Sequence, residues 1–214
     1  MVDFLTIDRG PLIIRAFAPA TIANVGPGFD VMGLAINEPG DIVEVWVEPP
    51  TRGQVQLEQI VGGAVFDAGK PNVVTAVSNY LLKGGLTNYS SFFGGFAIKA
   101  VLYKNMPIGS GMGSSAASGA ATVKAINELA RIFSGSIDEF TVREALLHGE
   151  KVADGSPHPD NTIPSYYGGA HIFHHSKGMV VSQKFTPTDD IYFVVCSLPD
   201  VRSDTLEMRA KLVL

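Results

Sequence analysis

Apolar and polar positions change rhythm several times along the chain. Over Leu12–Ala18, Val31–Ile36, Asp41–Glu48 and Gln54–Val61, β-branched residues and partial alternation predict strands, so the first quarter reads as β-rich. A helical pattern over Asn72–Lys83 is closed by Gly84 and Gly85, and a strand-like run over Gly94–Lys104 follows. The clearest helix spans Ser114–Phe133, where Ala116, Ala120, Val123, Ile126, Leu129 and Ala130 keep one apolar stripe. Ser136 and Glu139 have the spacing of a capping box, which predicts a further helix from Ser136 through Leu146 towards Ala153, stopped by Gly155 and Pro157. Beyond it the pattern predicts a turn at Tyr166–Gly169, strands at His171–His175, Met179–Phe185 and Ile191–Leu198, and a helix over Ser203–Leu214. That last pattern reaches Leu214 without a cap or stop signal, as a cut inside an element would.

Composition narrows the class. The chain has 214 residues and 46% hydrophobic content, which supports a folded core. Its 16 basic and 21 acidic residues leave a net charge of −5 with no Lys/Arg cluster, so neither a nucleic acid nor an anionic membrane is the expected partner. Met1–Arg9 has no apolar signal region and no segment approaches the roughly 18 apolar residues of a membrane span, which makes the cytoplasm the expected location. Cys196, the only cysteine, lies in the apolar run Ile191–Leu198 and is expected to be a core residue; no disulfide can form within one chain.

The segment Pro107–Ser118, PIGSGMGSSAAS, carries the chemistry. Glycines at 109, 111 and 113 let backbone N–H groups crowd an anion, and the helix that follows presents unpaired amides and its positive dipole end to the same place. Ser114 and Ser115 can add hydroxyl donors or reach a metal ion, although two serines at a helix start also suit plain N-caps. A P-loop needs Lys before Ser/Thr, where Gly113 stands. The even two-residue spacing of the glycines does not fit GxGxxG, and Gly113–Ala117 lacks the final glycine of a GxSxG nucleophile elbow.

PIGSGMGSSAAS resembles the phosphate-binding motif of the GHMP small-molecule kinases, usually PxGxGLGSSAA, with Met112 in place of Leu. Within that superfamily, Ala18–Gly33, APATIANVGPGFDVMG, resembles the N-terminal signature of homoserine kinases, and His158–Gly169, HPDNTIPSYYGG, resembles their HxDNxxPxxxGG segment. The resemblance implies an α+β fold: a GHMP kinase N-terminal domain (ribosomal protein S5 domain 2-like) over residues 1–165, and the beginning of a C-terminal α/β sandwich domain over 166–214. It implies phosphorylation of the L-homoserine hydroxyl by ATP with Mg²⁺, on the threonine branch of amino-acid biosynthesis, in a protein that commonly forms a homodimer. ATP phosphates would be held by Pro107, Gly109, Ser110, Gly111, Met112, Gly113, Ser114, Ser115 and Ala116, and adenine would be met by Asn72. Magnesium would take Ser115 and Glu150; homoserine would meet Asn24, Asp30, His158, Asp160, Asn161 and Arg209, with Asp30 for the ammonium, Asn161 near the reactive hydroxyl and Arg209 for the carboxylate.

Alternatives stay open for several of these residues. Asn24 and Asp30 also suit a turn around Gly26–Pro27–Gly28, Asn72 a simple N-cap, and Asp160–Asn161 a capping pair before Pro164. Glu150, Asp154 and His158 stand four apart, but Gly155 and Pro157 break the helical face a zinc site would need. Asp204 and Met208 depart from the family pattern ST-x-x-AR that Arg209 completes, and the late glycine-rich loop of family members has no counterpart in the sequence. Two other functions therefore remain beside homoserine kinase: the same chemistry on another acceptor such as mevalonate, and a non-catalytic nucleotide-binding module.

Overall fold

The structure is a computed structural model that describes residues 2–3, 12–48, 55–62, 72–82, 97–133, 135–176, 179–186 and 192–196. The strands are β1 (Val2–Asp3), β2 (Ile13–Ala23), β3 (Met32–Glu48), β4 (Val55–Val61), β5 (Ala97–Tyr103), β6 (Ala170–Ser176) and β7 (Met179–Phe185). The helices are α1 (Val73–Tyr80), α2 (Ser114–Phe133), α3 (Glu139–Asp154) and α4 (Pro159–Tyr167). All seven strands join one sheet, with the order β1-β2-β3-β5-β4 along its main path.

Long β3 is the spine. It pairs antiparallel with β2 from Ile13↔Trp46 to Ala23↔Gly33, with a register shift between Pro19 and Thr21. Its other edge is shared: Ile42–Glu48 pair with β5, whereas Met32–Leu34 pair with β6. The sheet thus forks midway along β3, and the residues between the two branches are free to meet loops and a helix. The two strands expected at Val31–Ile36 and Asp41–Glu48 are one element, because β2 pairs with both sides of an irregularity, Thr21 with Ala35 and Pro19 with Gly40. The sheet also continues past the domain boundary expected near Tyr166, since β6 adds directly to β3 and β7 to β6.

Alternation along the strands sends Ile14, Ala16, Ala18, Val43, Val45, Ile98, Ala100 and Leu102 to one buried face. There they meet Val74 and Val77 of α1, Ala120, Val123, Ile126 and Leu129 of α2, and Val142, Ala145 and Leu146 of α3. Every position of the apolar stripe read for α2 is buried. Its alanines and Gly119 permit close packing: a Cβ on Gly119 would lie 3.1 Å from Val73, and one on Gly149 of α3 would lie 2.5 Å from Val77.

Several local expectations are corrected. Asp138, not Ser136, caps α3: its side chain accepts from the Thr141 amide at 2.9 Å and the helix begins at Glu139. Tyr166–Gly169 is not simply a turn, because α4 carries Tyr166 and Tyr167, ending only at the left-handed Gly168. The described part of Ile191–Leu198, residues 192–196, forms no strand, and Cys196 is exposed there rather than buried. The predicted helix over Ser203–Leu214 lies outside the described residues. Among those described, no helix is long and apolar enough to cross a membrane.

Lys124 ties three elements together from the middle of α2. Its Nζ donates to the carbonyls of Phe17 on β2 and Ser165 on α4, each at 3.1 Å, while Ser165 Oγ donates to Pro19 O at 2.7 Å. Burial pushes the ammonium's pKa down to about 8. Below pH 8 both folded and unfolded chains hold this proton and the burial penalty applies in full; between about 8 and about 10.4 the unfolded chain holds more of it, so stability rises with pH. Denaturant unfolding at pH 7.5 and 9.5 should show the wild type gaining on the order of 2 kcal/mol relative to Lys124→Met over that interval. An unchanged difference between the two proteins would mean that Lys124 does not titrate as its burial requires.

Candidate active site

The glycine loop leaves β5 at Lys104 and enters α2 at Ser114. Gly109, Gly111 and Gly113 all have positive φ, at 73°, 73° and 66°, which turns successive amides to one side of the loop. The first intrahelical bond near its end runs from Ala117 N to Gly113 O at 2.9 Å, so the amides of Ser114, Ser115 and Ala116 have no helical acceptor. Ser110 Oγ is buried without a hydrogen-bond partner, a hydroxyl set in the loop with its bonding capacity unused. This is a cradle whose donors suit a phosphate. Met112 points the other way, packing with Ile36 against Ala20, Met106 and Ala117, which explains why a Leu-sized apolar residue sits amid glycines.

A buried polar cluster holds both ends of the loop. Asp41, fully buried on β3, accepts from the amides of Asn105 at 3.0 Å and Met106 at 3.2 Å, from Ser118 Oγ at 2.7 Å, and from Lys104 Nζ. Lys104 also donates to Ser114 O at 2.7 Å and Ser118 Oγ at 3.0 Å. Burial pulls the Lys104 pKa below the ordinary lysine value, and Asp41 pulls it back up. Neither residue stood out in the sequence; the only cue was that Lys104 immediately flanks the motif.

The acceptor-side residues converge on the same region. Asn24 and Asp30 both have positive φ, at 68° and 56°, and Asn24 Oδ1 accepts from the Asp30 amide at 2.9 Å. The turn role is thus real, and the carboxylate of Asp30 points outwards from it to His158 Nδ1 at 3.8 Å. His158 sits at the N-cap of α4 but makes no side-chain capping bond. Asp160, 2% exposed, and Asn161 lie in the first turn of α4, not in a capping pair. That turn is seated on β3 at Gly33, where any Cβ would collide with the Asp160 carbonyl.

One contact joins the two halves. Thr21, fully buried on β2, donates its hydroxyl to Asn161 Oδ1 at 2.7 Å and its amide to Met112 O at 3.1 Å. Gly113 completes the arrangement: a Cβ there would collide with Thr21 Oγ1 and come within 2.9 Å of Asn161 Oδ1. The amide expected near a reactive hydroxyl therefore lies against the phosphate loop. Thr21 went unnoticed in the sequence although it falls inside the Ala18–Gly33 segment.

Other sequence-based candidates are placed less centrally. Asn72 caps α1, its Oδ1 accepting from Val74 N at 2.8 Å. Ser115 is half-buried in the first turn of α2, and Glu150 is 2% exposed on α3. The α3 helix stops at Gly155, φ 79°, so Glu150, Asp154 and His158 do not share one helical face. Among the described residues, no group of three or more His, Cys, Asp or Glu could hold a metal by itself. Arg209 lies outside them.

Comparison with known proteins agrees with this geometry. Residues 72–169 match the GHMP kinases N terminal domain. The chain is 40% identical over 200 residues to homoserine kinase of Pyrococcus abyssi, covering 91% of this chain and 59% of that protein. With homoserine kinase of Chlorobaculum tepidum it shares 41% over 159 residues, 72% of this chain and 48% of that protein. The chain thus spans about half to three-fifths of these relatives' length. Among solved structures, homoserine kinase from Cytophaga hutchinsonii superposes with a TM-score of 0.67 at 34% identity, over 85% of this chain and 54% of that one. The mevalonate kinase of L. major shares the fold alone, with a TM-score of 0.55 at 18% identity over 86% of this chain and 55% of that one. A glycine cradle at a helix start, the Asn161 amide locked against it and these likenesses lead to one conclusion: residues 72–169 form a GHMP kinase N-terminal domain.

Proposed function

We propose that the protein carrying this chain is a homoserine kinase, which transfers the γ-phosphoryl group of ATP to the hydroxyl of L-homoserine and forms O-phospho-L-homoserine, a step towards threonine. The observation that carries this reading is the link from Asn161 through Thr21 and Gly113 to the phosphate loop. It puts the HPDN segment, which distinguishes homoserine kinases within the family, at the edge of the cradle.

Each group then has a task. Loop amides, the α2 N-terminus and Ser110 Oγ bind the triphosphate and meet the negative charge that builds on the leaving oxygen. Asp30, on the outside of its turn, takes the substrate ammonium, which mevalonate and sugars lack; Arg209 takes the carboxylate. Asn161 orients the hydroxyl whose oxygen bonds to γ-phosphorus as the bond to the β–γ bridging oxygen breaks and ADP departs. Ser115 and Glu150 offer the hard oxygen donors that Mg²⁺ prefers, and a cation bound there with the phosphates would supply charge neutralisation. Mg²⁺ keeps waters and phosphate oxygens among its ligands, so such a site asks for few donors from the protein.

In a coupled ADP-release assay, homoserine should be phosphorylated with a kcat/KM at least about 100-fold above that for mevalonate, since mevalonate brings no ammonium for Asp30 to receive. Equal use of both would dismiss the homoserine reading; nucleotide retention without turnover on either would favour a binding module instead. Asp160→Asn separates two routes for the hydroxyl proton. A kcat lowered by roughly 100-fold or more at unchanged homoserine KM assigns Asp160 as the base, whereas unchanged turnover sends the proton to the phosphoryl oxygens.

A further inference from the structure

Thr21 has no ligand to bind. It is fully buried, and its side-chain hydroxyl is spent on Asn161 Oδ1 at 2.7 Å. We propose that Thr21 is a positioning residue: its hydroxyl holds one end of the Asn161 carboxamide inwards so that the other faces the acceptor. The inference rests on the homoserine kinase reading above and adds to it a determinant of acceptor orientation.

A primary amide has two ends of nearly equal shape and opposite hydrogen-bonding sense. Asn161, half-buried at the first turn of α4, could swing either one away from the acceptor unless something held it. Thr21 Oγ1 carries one proton to donate, and Asn161 Oδ1 receives it. With the oxygen held inwards, Nδ2 is left to donate to the acceptor hydroxyl's oxygen, leaving that oxygen's other lone pair for the γ-phosphorus.

The backbone and side chain of Thr21 have separate duties. Its amide donates to Met112 O at 3.1 Å and so holds the loop, a bond that no side-chain substitution removes. The hydroxyl acts only on Asn161. The absence of a side chain at Gly113 is the counterpart of this arrangement, because a Cβ there would occupy the space of the Thr21–Asn161 bond. The register shift on β2 between Pro19 and Thr21 explains how one strand serves two partners here: Pro19 O accepts from Ser165 of α4 while Thr21 turns to the loop.

The test is a double-mutant cycle on the full-length enzyme. Thr21→Val keeps shape and β-branching but loses the hydroxyl, and should lower kcat about tenfold with the KM for ATP unchanged within about twofold. Thr21→Ser keeps the hydroxyl and should retain most of the activity. In an Asn161→Ala background, Thr21→Val should have no further effect, since nothing remains to orient. Full activity in Thr21→Val, equal impairment of Thr21→Ser, or an undiminished loss in the Asn161→Ala background would each overturn the proposal; the last is what a purely structural role predicts. If Thr21→Val does not fold, Thr21→Cys, a weak donor, takes its place and should lose more activity than Thr21→Ser. If the wild type fails to phosphorylate homoserine at all, the functional reading fails on its own. The Asn161 side-chain amide resonances in ¹⁵N-labelled protein then still decide this point: they should move in Thr21→Val and stay in Thr21→Ser, and no movement in either would refute the bond.

Discussion

A single buried carboxylate holds the glycine loop of this molecule in shape. Asp41 gathers two backbone amides from the entry of the glycine loop, a hydroxyl from the helix at its exit, and the Lys104 ammonium, which itself returns to the first carbonyl of that helix. A charge so deep in the fold is costly unless its lone pairs are met, and removing any one partner leaves the rest exposed to that cost. Because the partners come from both sides of the loop, satisfying Asp41 brings β5 and α2 to a fixed separation. The loop between them can then turn its amides outwards without collapsing onto its own helix.

The fork in the sheet gives that loop something to face. On one branch β3 continues into β5, which delivers the chain to the loop; on the other it meets β6. The first turn of α4 closes over Gly33 near the fork, secured further along by Ser165 to Pro19 O and by Lys124 to Phe17 O and Ser165 O. Rigid strands and helices thus carry both the glycine loop and Asn161, the fixed placement that the proposed phosphoryl transfer calls for. Small residues at the contacts, Gly33 and Gly113 above all, set how near the two halves come.

Much of this was legible in advance where the signal is local. The stripe of α2, the cores of β2, β4 and β5 and the β6–β7 pair follow from periodicity, because each buries one face and so repeats at the period of its own backbone. The glycine loop and the acceptor segments were legible because their residue types are tied to a task. Other features were hidden for definite reasons. Val31–Ile36 and Asp41–Glu48 read as two strands, yet β2 pairs on both sides of the irregularity between Ala35 and Gly40 and joins them into β3. Asp138 takes the capping role expected of Ser136, since the helix begins at the residue after it and its Oδ1 accepts from the Thr141 amide. The apolar stretch around Cys196 read as a buried strand, but hydrophobicity alone supplies no neighbour, and residues 192–196 are largely exposed.

Chemistry and geometry therefore came from different levels. Which residues can grip a phosphate, which can meet an ammonium and which faces seek burial are properties of side chains and short-range spacing, and they stand in the linear order of the chain. That Asp41 reaches Met106, that Lys124 spans β2 and α4, and that Thr21 touches Asn161 across 140 positions are pairings between distant segments. No local pattern encodes them, since they arise only when the sheet's register and the packing of α2 against it have set those segments side by side.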